Sequence, residues 1–314
     1  MKGALLLTVV YLLHCEGAVV TRNDEHAVVN DRPIIGVLSQ EQSFYLHGKY
    51  PEENYTIIIL MTEKYINILM FLVLIPGGAT YFNQTDGYAD AGQHIYEIAQ
   101  ELNDAGDYFP IFGTCLGFEL LIILASGRGY PENRITCYSF SNIPLDFTEG
   151  ERRKIFILNL ISHNLTHDWR VTSHSDDDNG VKFIATVEHT RYPFYGVQFH
   201  PEKSSFEWKL SKKYPHSINA VKSNRYFMDF FVKECRKSAH SFESAAEENR
   251  YMIYNYEPRF TGVLGSMYHQ CYFFEPKGTV VSNQSVFLQR RVAVYCRHLR
   301  NVKCSTTAPA HQGL

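Results

Sequence analysis

No charge of either sign dominates this 314-residue chain: its formal net charge of -3 provides no broad basic footprint for nucleic acid. The apolar run near the amino terminus ends at Leu13 and, at about ten residues, falls short of the roughly 20 that span a membrane. Stable membrane insertion is therefore not expected. Cysteine is sparse, with 7 in the whole chain, which excludes a miniature scaffold stapled by disulfides. No repeat of solenoid period is visible. Gly113, Gly117 and Gly127 do not form the GxGxxG opening of a dinucleotide site. His163, His167 and Asp168 enclose Asn164, Leu165 and Thr166, without the glutamate of a zinc HExxH helix. Neither a cofactor nor a metal is expected.

What is present supports one large core, or one core with a modest appendage, since 45% of the residues are apolar. Met1 to Ala18 combines a basic Lys2, an apolar run and the small residues Gly17 and Ala18, the pattern of a secretory signal cleaved after Ala18. Acceptable glycosylation sequons begin at Asn54, Asn83, Asn164 and Asn283, and each used site would have to face solvent. The secretory pathway, ending in the lysosome or outside the cell, is the expected location. Loss of the leader would remove Cys15 and leave Cys115, Cys137, Cys235, Cys271, Cys296 and Cys304, with a local Cys296–Cys304 pair as one option.

The chain is organised around Asp107 to Leu121, DYFPIFGTCLGFELL. An apolar run from Phe109 to Phe112 meets Gly113, a Thr114-Cys115 step, Leu116 and Gly117, and then a second apolar segment. Such a sequence predicts a strand turning sharply into a helix with one thiol at the bend. Backbone N–H groups of the first helical turn would lie near that sulfur, able to stabilise an oxyanion and favour a thiolate. Further strands are predicted at Pro33–Leu38, Thr56–Met61, Val181–Val187 and Phe194–Phe199. Ile68 to Ile75 reads either as a strand or as a helix end followed by a shorter strand. Helices are predicted at His94–Leu102, Leu116–Ala125 and Arg225–Lys237, the last turning Phe227, Phe230, Phe231 and Cys235 toward the sheet. Ser238 to Asn249 reads as polar loop. Alternating strand and helix favours an α/β three-layer sandwich with a mostly parallel central sheet.

A second stretch, Tyr195 to Lys203, reads YGVQFHPEK. A strand would deliver His200 at its carboxyl end, because Pro201 keeps the exit extended. His200 suits proton exchange with Cys115 and with a departing amine, and Glu202 could turn back to orient the imidazole. The Pro76-Gly77-Gly78 loop could present a backbone N–H to an anion if it lies beside Cys115.

Together these residues carry a resemblance. Gly113-Thr114-Cys115-Leu116-Gly117-Phe118-Glu119 and Gly196-Val197-Gln198-Phe199-His200-Pro201-Glu202-Lys203 resemble the class I glutamine-amidotransferase-like fold. Asp107-Tyr108-Phe109-Pro110, with Tyr214-Pro215-His216 and Asn219-Ala220-Val221-Lys222, is similar to the secreted and lysosomal γ-glutamyl hydrolases. The similarity runs with interruptions from about residue 32 to 276, between the leader 1–18 and a divergent extension 277–314. It implies Cys115 as nucleophile, His200 as proton carrier, Glu202 as third member, Glu119 as an auxiliary carboxylate, and Gly78 and Leu116 as oxyanion N–H donors. It also implies a folate poly-γ-glutamate substrate and a homodimer.

Arg128, Arg134, Arg191, Lys203 and Lys222 are candidates to meet substrate carboxylates. Trp208 either borders an aromatic substrate group or anchors a core. Two departures from the family pattern are the short Ser39–Tyr55 crossover and the abbreviated Glu149–Gly180 region. They keep open a catalytically weak binding or structural paralogue on the same fold.

Overall fold

The computed structural model describes residues 30–41, 56–57, 72–83, 85, 87–127, 145–147, 165, 167–209, 212, 214–264, 266 and 268–273. All of them belong to the first of two compact units, residues 1–275. The leader, the extension and most of the short crossover lie outside the described residues.

Strands β1 (Ile35–Val37), β3 (Leu72–Ile75), β4 (Ile111–Thr114) and β8 (Phe194–Val197) run parallel, side by side. The sheet continues antiparallel through β7 (Lys182–His189), β6 (Trp169–Asp176) and β5 (Asp146–Phe147), giving the seven-stranded order β1-β3-β4-β8-β7-β6-β5. Of Ile68 to Ile75, the described part is the strand that both readings place there, and residues 68–71 lie outside the described residues.

Neighbouring side chains along these strands point to opposite faces, and each face has its own core. Val73, Ile75, Ile111 and Phe194 pack with helices α1 (Tyr88–Asp104) and α2 (Leu116–Ser126). Leu72, Leu74, Phe112, Tyr195 and Val197 turn the other way, toward α4 (Ile218–Cys235). Helices on both faces of a sheet of four parallel strands and an antiparallel edge make the predicted three-layer α/β sandwich. The short α3 (Lys203–Phe206) follows β8, and α5 (Ala245–Tyr251) follows α4.

As the sequence predicted, α4 turns Phe231 and Cys235 into the core and packs Phe227 and Phe230 beside them. It begins earlier than Arg225 because the Ser217 hydroxyl accepts the Ala220 N–H at 3.2 Å, capping the first turn.

Three elements differ from the sequence reading. Thr56 and Ile57 form β2, which pairs antiparallel with β10 (Gln270–Phe273) beside β9 (Arg259–Phe260) in a separate sheet. The rest of Thr56–Met61 lies outside the described residues; an apolar run identifies a strand without saying which sheet receives it. The eight-residue β6 falls in the region read as abbreviated. Its pairing with β7 shifts register on both sides of Ser173, so alternation breaks. Its buried side chains include Ser173, bonded to Thr186 at 2.7 Å, where polarity imitates a loop. Finally, α5 forms inside the polar segment and buries none of its residues. Ser244 accepts the Glu247 N–H at 3.2 Å, so a cap stabilises this helix where periodicity gives no signal.

Candidate active site

The carboxyl ends of β3, β4 and β8 lie side by side, and each strand delivers one part of the site. In open α/β sheets this edge is where ligands bind. From β4 the chain enters Cys115, whose φ of 51° makes it the only non-glycine residue with positive φ among those described. A β-carbon there crowds the backbone, and the surrounding contacts must hold it. They do so on both sides: the Cys115 N–H donates to the Val197 carbonyl at 2.7 Å, and its carbonyl accepts the Glu119 N–H at 3.0 Å. The predicted strand-to-helix bend is therefore present, with the sulfur at its apex. A Cβ on Gly117 would come within 2.0 Å of the Ile75 carbonyl oxygen, so only glycine lets α2 start this close to β3.

Cys115 is a free thiol, as are Cys235 and Cys271. Burial pushes the thiols of Cys235 and Cys271 up, as befits packed core residues. Cys137, Cys296 and Cys304 lie outside the described residues.

β8 leads through Gln198 and Phe199 to His200. Its Nδ1 lies 2.6 Å from Oε1 of Glu202, with both side chains largely shielded from water. Burial alone would disfavour an imidazolium here. The charge of Glu202, the charge of Cys115 and hydrogen bonds to both outweigh it and raise the His200 pKa to about 9. For Glu202, burial works against ionisation, but the His200 charge and hydrogen bond prevail and hold its carboxyl below the ordinary range. An imidazole fixed by a carboxylate on one nitrogen and interacting with a thiol has the arrangement required for proton transfer to and from sulfur.

From β3 comes the Pro76-Gly77-Gly78 loop. A Cβ on Gly77 would lie 2.4 Å from Cε1 of His200 and 3.0 Å from Cβ of Cys115. The bare backbone thus fills the corner between thiol and imidazole, placing the loop where the sequence argument required it.

Glu119 accepts a hydrogen bond from Nε2 of Gln198 at 3.1 Å, and the same nitrogen lies 4.0 Å from the Cys115 sulfur. Gln198 is a site residue to which sequence reasoning gave no role. The nearest sequence signal is its position two residues before His200, but β8 ends at Val197, so strand alternation does not place it. Tyr268, whose ring centroid is 6.5 Å from that of His200, carried no comparable signal. It arrives from a distant part of the chain, where Lys209 Nζ donates to the Ser266 carbonyl and Glu207 accepts the His269 N–H.

The structure separates the basic candidates. Lys203 is 7% exposed and its ammonium lies 5.4 Å from the ring centroids of both Tyr214 and Tyr268. Burial lowers its pKa, opposed by the charges of Glu202, Cys115 and Glu207. Arg191 instead pairs with Asp104 on the surface, and Lys222 is exposed on α4. Arg128 and Arg134 lie outside the described residues. Trp208 is 60% exposed and stacks on His216 with ring centroids 3.7 Å apart, which rules out the core-anchor alternative. The exposed imidazole of His167 bonds to its neighbour Asp168, and His163 lies outside the described residues.

Comparison with known proteins places these features in a family. The family model described as "Glutamine amidotransferase class-I" matches residues 54–212, a span containing Gly78, Cys115, Glu119, His200 and Glu202. The chain is 34% identical to gamma-glutamyl hydrolase of Homo sapiens over 86% of its own length and 98% of the relative's. It is 34% identical to that of Mus musculus, covering 78% and 90%, and 33% identical to that of Bos taurus, covering 86% and 98%. The chain belongs to the gamma-glutamyl hydrolase family, on the class-I glutamine amidotransferase fold.

Proposed function

We propose that the chain hydrolyses γ-glutamyl amide bonds through a thioester on Cys115, with folate poly-γ-glutamates as substrate. The observation carrying this reading is the convergence of a free Cys115, a Glu202-bound His200 and the Gly77 backbone at one sheet edge. It is supported by the extended similarity to gamma-glutamyl hydrolases.

The sulfur of Cys115 attacks the γ-carbonyl, and the carbonyl oxygen becomes an oxyanion received by the N–H groups of Gly78 and Leu116. Loss of one such donor commonly costs about 3 kcal/mol of transition-state stabilisation. The intermediate collapses as the C–N bond breaks, and protonated His200 gives its proton to the departing amine of the downstream glutamate. Now neutral, His200 takes a proton from water; the hydroxide attacks the thioester, and a γ-carboxylate leaves as the sulfur is released. Glu202 holds the imidazole and stabilises its charged form. Glu119, fixed by Gln198, is an auxiliary carboxylate beside the sulfur. Among the described basic candidates Lys203, which feels the charges of Glu202 and Cys115, is the cation to meet a substrate carboxylate, and the exposed Trp208 offers a ring face to a pteridine or aminobenzoyl group.

The same reading takes residues 1–18 as a secretory leader, 32–276 as the catalytic domain and 277–314 as an extension, delivering the enzyme to the lysosome or outside the cell. The sequon residue Asn83 is exposed, as a used site must be.

Purified, glycosylated protein should release shortened folate from a folate poly-γ-glutamate, and Cys115→Ala should reduce turnover by at least a thousandfold. No turnover by a folded, monodisperse parent would overturn the reading and favour a binding paralogue.

A further inference from the structure

The Pro76-Gly77-Gly78 loop is held from behind by two side chains outside the reacting constellation. Nε2 of Gln40 donates to the Pro76 carbonyl at 3.2 Å and to the Gly77 carbonyl at 3.1 Å. Those bonds account for both amide hydrogens. The Tyr88 hydroxyl, at the start of α1, donates to the same Pro76 carbonyl at 2.8 Å. Gln40 and Tyr88 are both buried, and the Gln40 amide oxygen packs against Gly78 where a side chain would otherwise project. Glu41 extends the brace: one carboxylate oxygen accepts the Tyr88 backbone N–H and the other accepts the Thr80 hydroxyl, each at 2.5 Å.

These bonds decide the direction of an N–H. In a trans peptide the C=O and N–H point in opposite directions within the peptide plane, and no cis peptide occurs among the described residues. Fixing the Gly77 carbonyl on Gln40 therefore turns the Gly78 N–H away from Gln40. A Pro-Gly-Gly loop has little torsional restraint of its own beyond the proline ring, so it needs this external hold.

We infer that Gln40 and Tyr88 are positioning residues that set the oxyanion-binding orientation of the Pro76–Gly78 loop, so that disturbing them slows acyl transfer while leaving the nucleophile intact. The inference rests on the thioester reading above. It goes further by separating the machinery into a thiol–imidazole part and a loop part braced from the opposite side.

Gln40→Glu replaces an amide donor with a carboxylate facing two carbonyls at nearly the same volume. Tyr88→Phe removes one hydroxyl and keeps the ring. The test measures kcat and KM on a folate poly-γ-glutamate, together with the rate of Cys115 alkylation by iodoacetamide, which forms no oxyanion. Gln40→Glu should lower kcat at least tenfold and Tyr88→Phe about threefold. KM and the alkylation rate should stay within about twofold of the parent. A substrate-like aldehyde that forms a hemithioacetal on Cys115 should lose affinity in step with kcat, because it too needs the oxyanion donor.

If alkylation slows as much as turnover in both variants, the residues support the whole site and the inference fails. It fails equally if both variants keep kcat within twofold. A parent without Cys115-dependent turnover removes the reading beneath it, and the inference with it. Should Gln40→Glu not fold, Tyr88→Phe decides alone by the same comparison.

Discussion

At the residue scale the proposed reaction depends on a proton kept on His200. Its pKa of about 9 exceeds the ordinary 6.5 because Glu202 and Cys115 outweigh the effect of burial. This raised value means that stabilisation from the charged imidazole is fully present below 6.5 and is lost as pH rises through about 9. The depressed Glu202 works in the other direction: its contribution is present above the ordinary carboxylate range and is lost as pH falls through its own lowered value. The pair is therefore intact between these limits. The alkaline limb of kcat/KM should fall near pH 9, where His200 ceases to be available as the acid. Glu202→Gln removes the largest favourable influence on that proton. It should move the limb toward 6.5 and lower kcat/KM roughly tenfold or more, since the imidazole also loses its orienting acceptor. A pH–rate profile with an unmoved alkaline limb would show that Glu202 does not hold the charge.

Among single residues, Cys115 and His200 were legible in the sequence because punctuation surrounds them. Gly113 and Gly117 bracket the first, and Pro201 marks the strand exit at the second. Lys203 could not be separated from Arg128, Arg134, Arg191 and Lys222, because its burial between Tyr214 and Tyr268 depends on chain segments far apart in sequence. Gln40 was illegible for the same reason: nothing local marks a glutamine whose partners are the Pro76 and Gly77 carbonyls.

At the scale of elements, the four parallel strands were readable as short apolar runs, and α2 and α4 as apolar or amphipathic segments. What escaped was β6, where register shifts and buried hydroxyls disrupt the alternation, and α5, which is capped without being buried. The reading of α4 makes a quantitative expectation. Phe231 is 2% exposed and its ring lies 5.2 Å from that of Phe112 on the sheet. Phe231→Ala should cost about 3–5 kcal/mol in urea unfolding, the usual range for a large buried side chain. Cys115 alkylation in the folded variant should be unchanged, because Phe231 packs against the sheet face opposite α2. A loss below about 1 kcal/mol would mean that this helix contributes little to the core.

At the scale of the whole molecule, the two sheet faces do different work. One seats α1 and α2 against the elbow that strains Cys115. The other seats α4, whose Cys235 and Phe231 share a core with Val197, the residue whose carbonyl holds the Cys115 N–H. Three parallel strand ends then supply loop, sulfur and imidazole from positions about 40 and 85 residues apart in the chain. The mostly parallel character of the sheet was legible in the family resemblance and the alternation of elements; the order of its strands was not. The assignment of Thr56 and Ile57 to a separate sheet with residues 270–273 was not, because strand pairing over such a separation leaves no local trace.

The central claim is that Cys115 carries the acyl group. Mixing the protein with a folate poly-γ-glutamate, quenching in acid within the first turnover and mapping the digested chain by mass spectrometry tests it directly. The Cys115 peptide should gain the mass of the pteroylglutamyl acyl group, and hydroxylamine should remove that mass. Substrate turnover with Cys115 unmodified, or undiminished turnover by Cys115→Ala, would contradict the account.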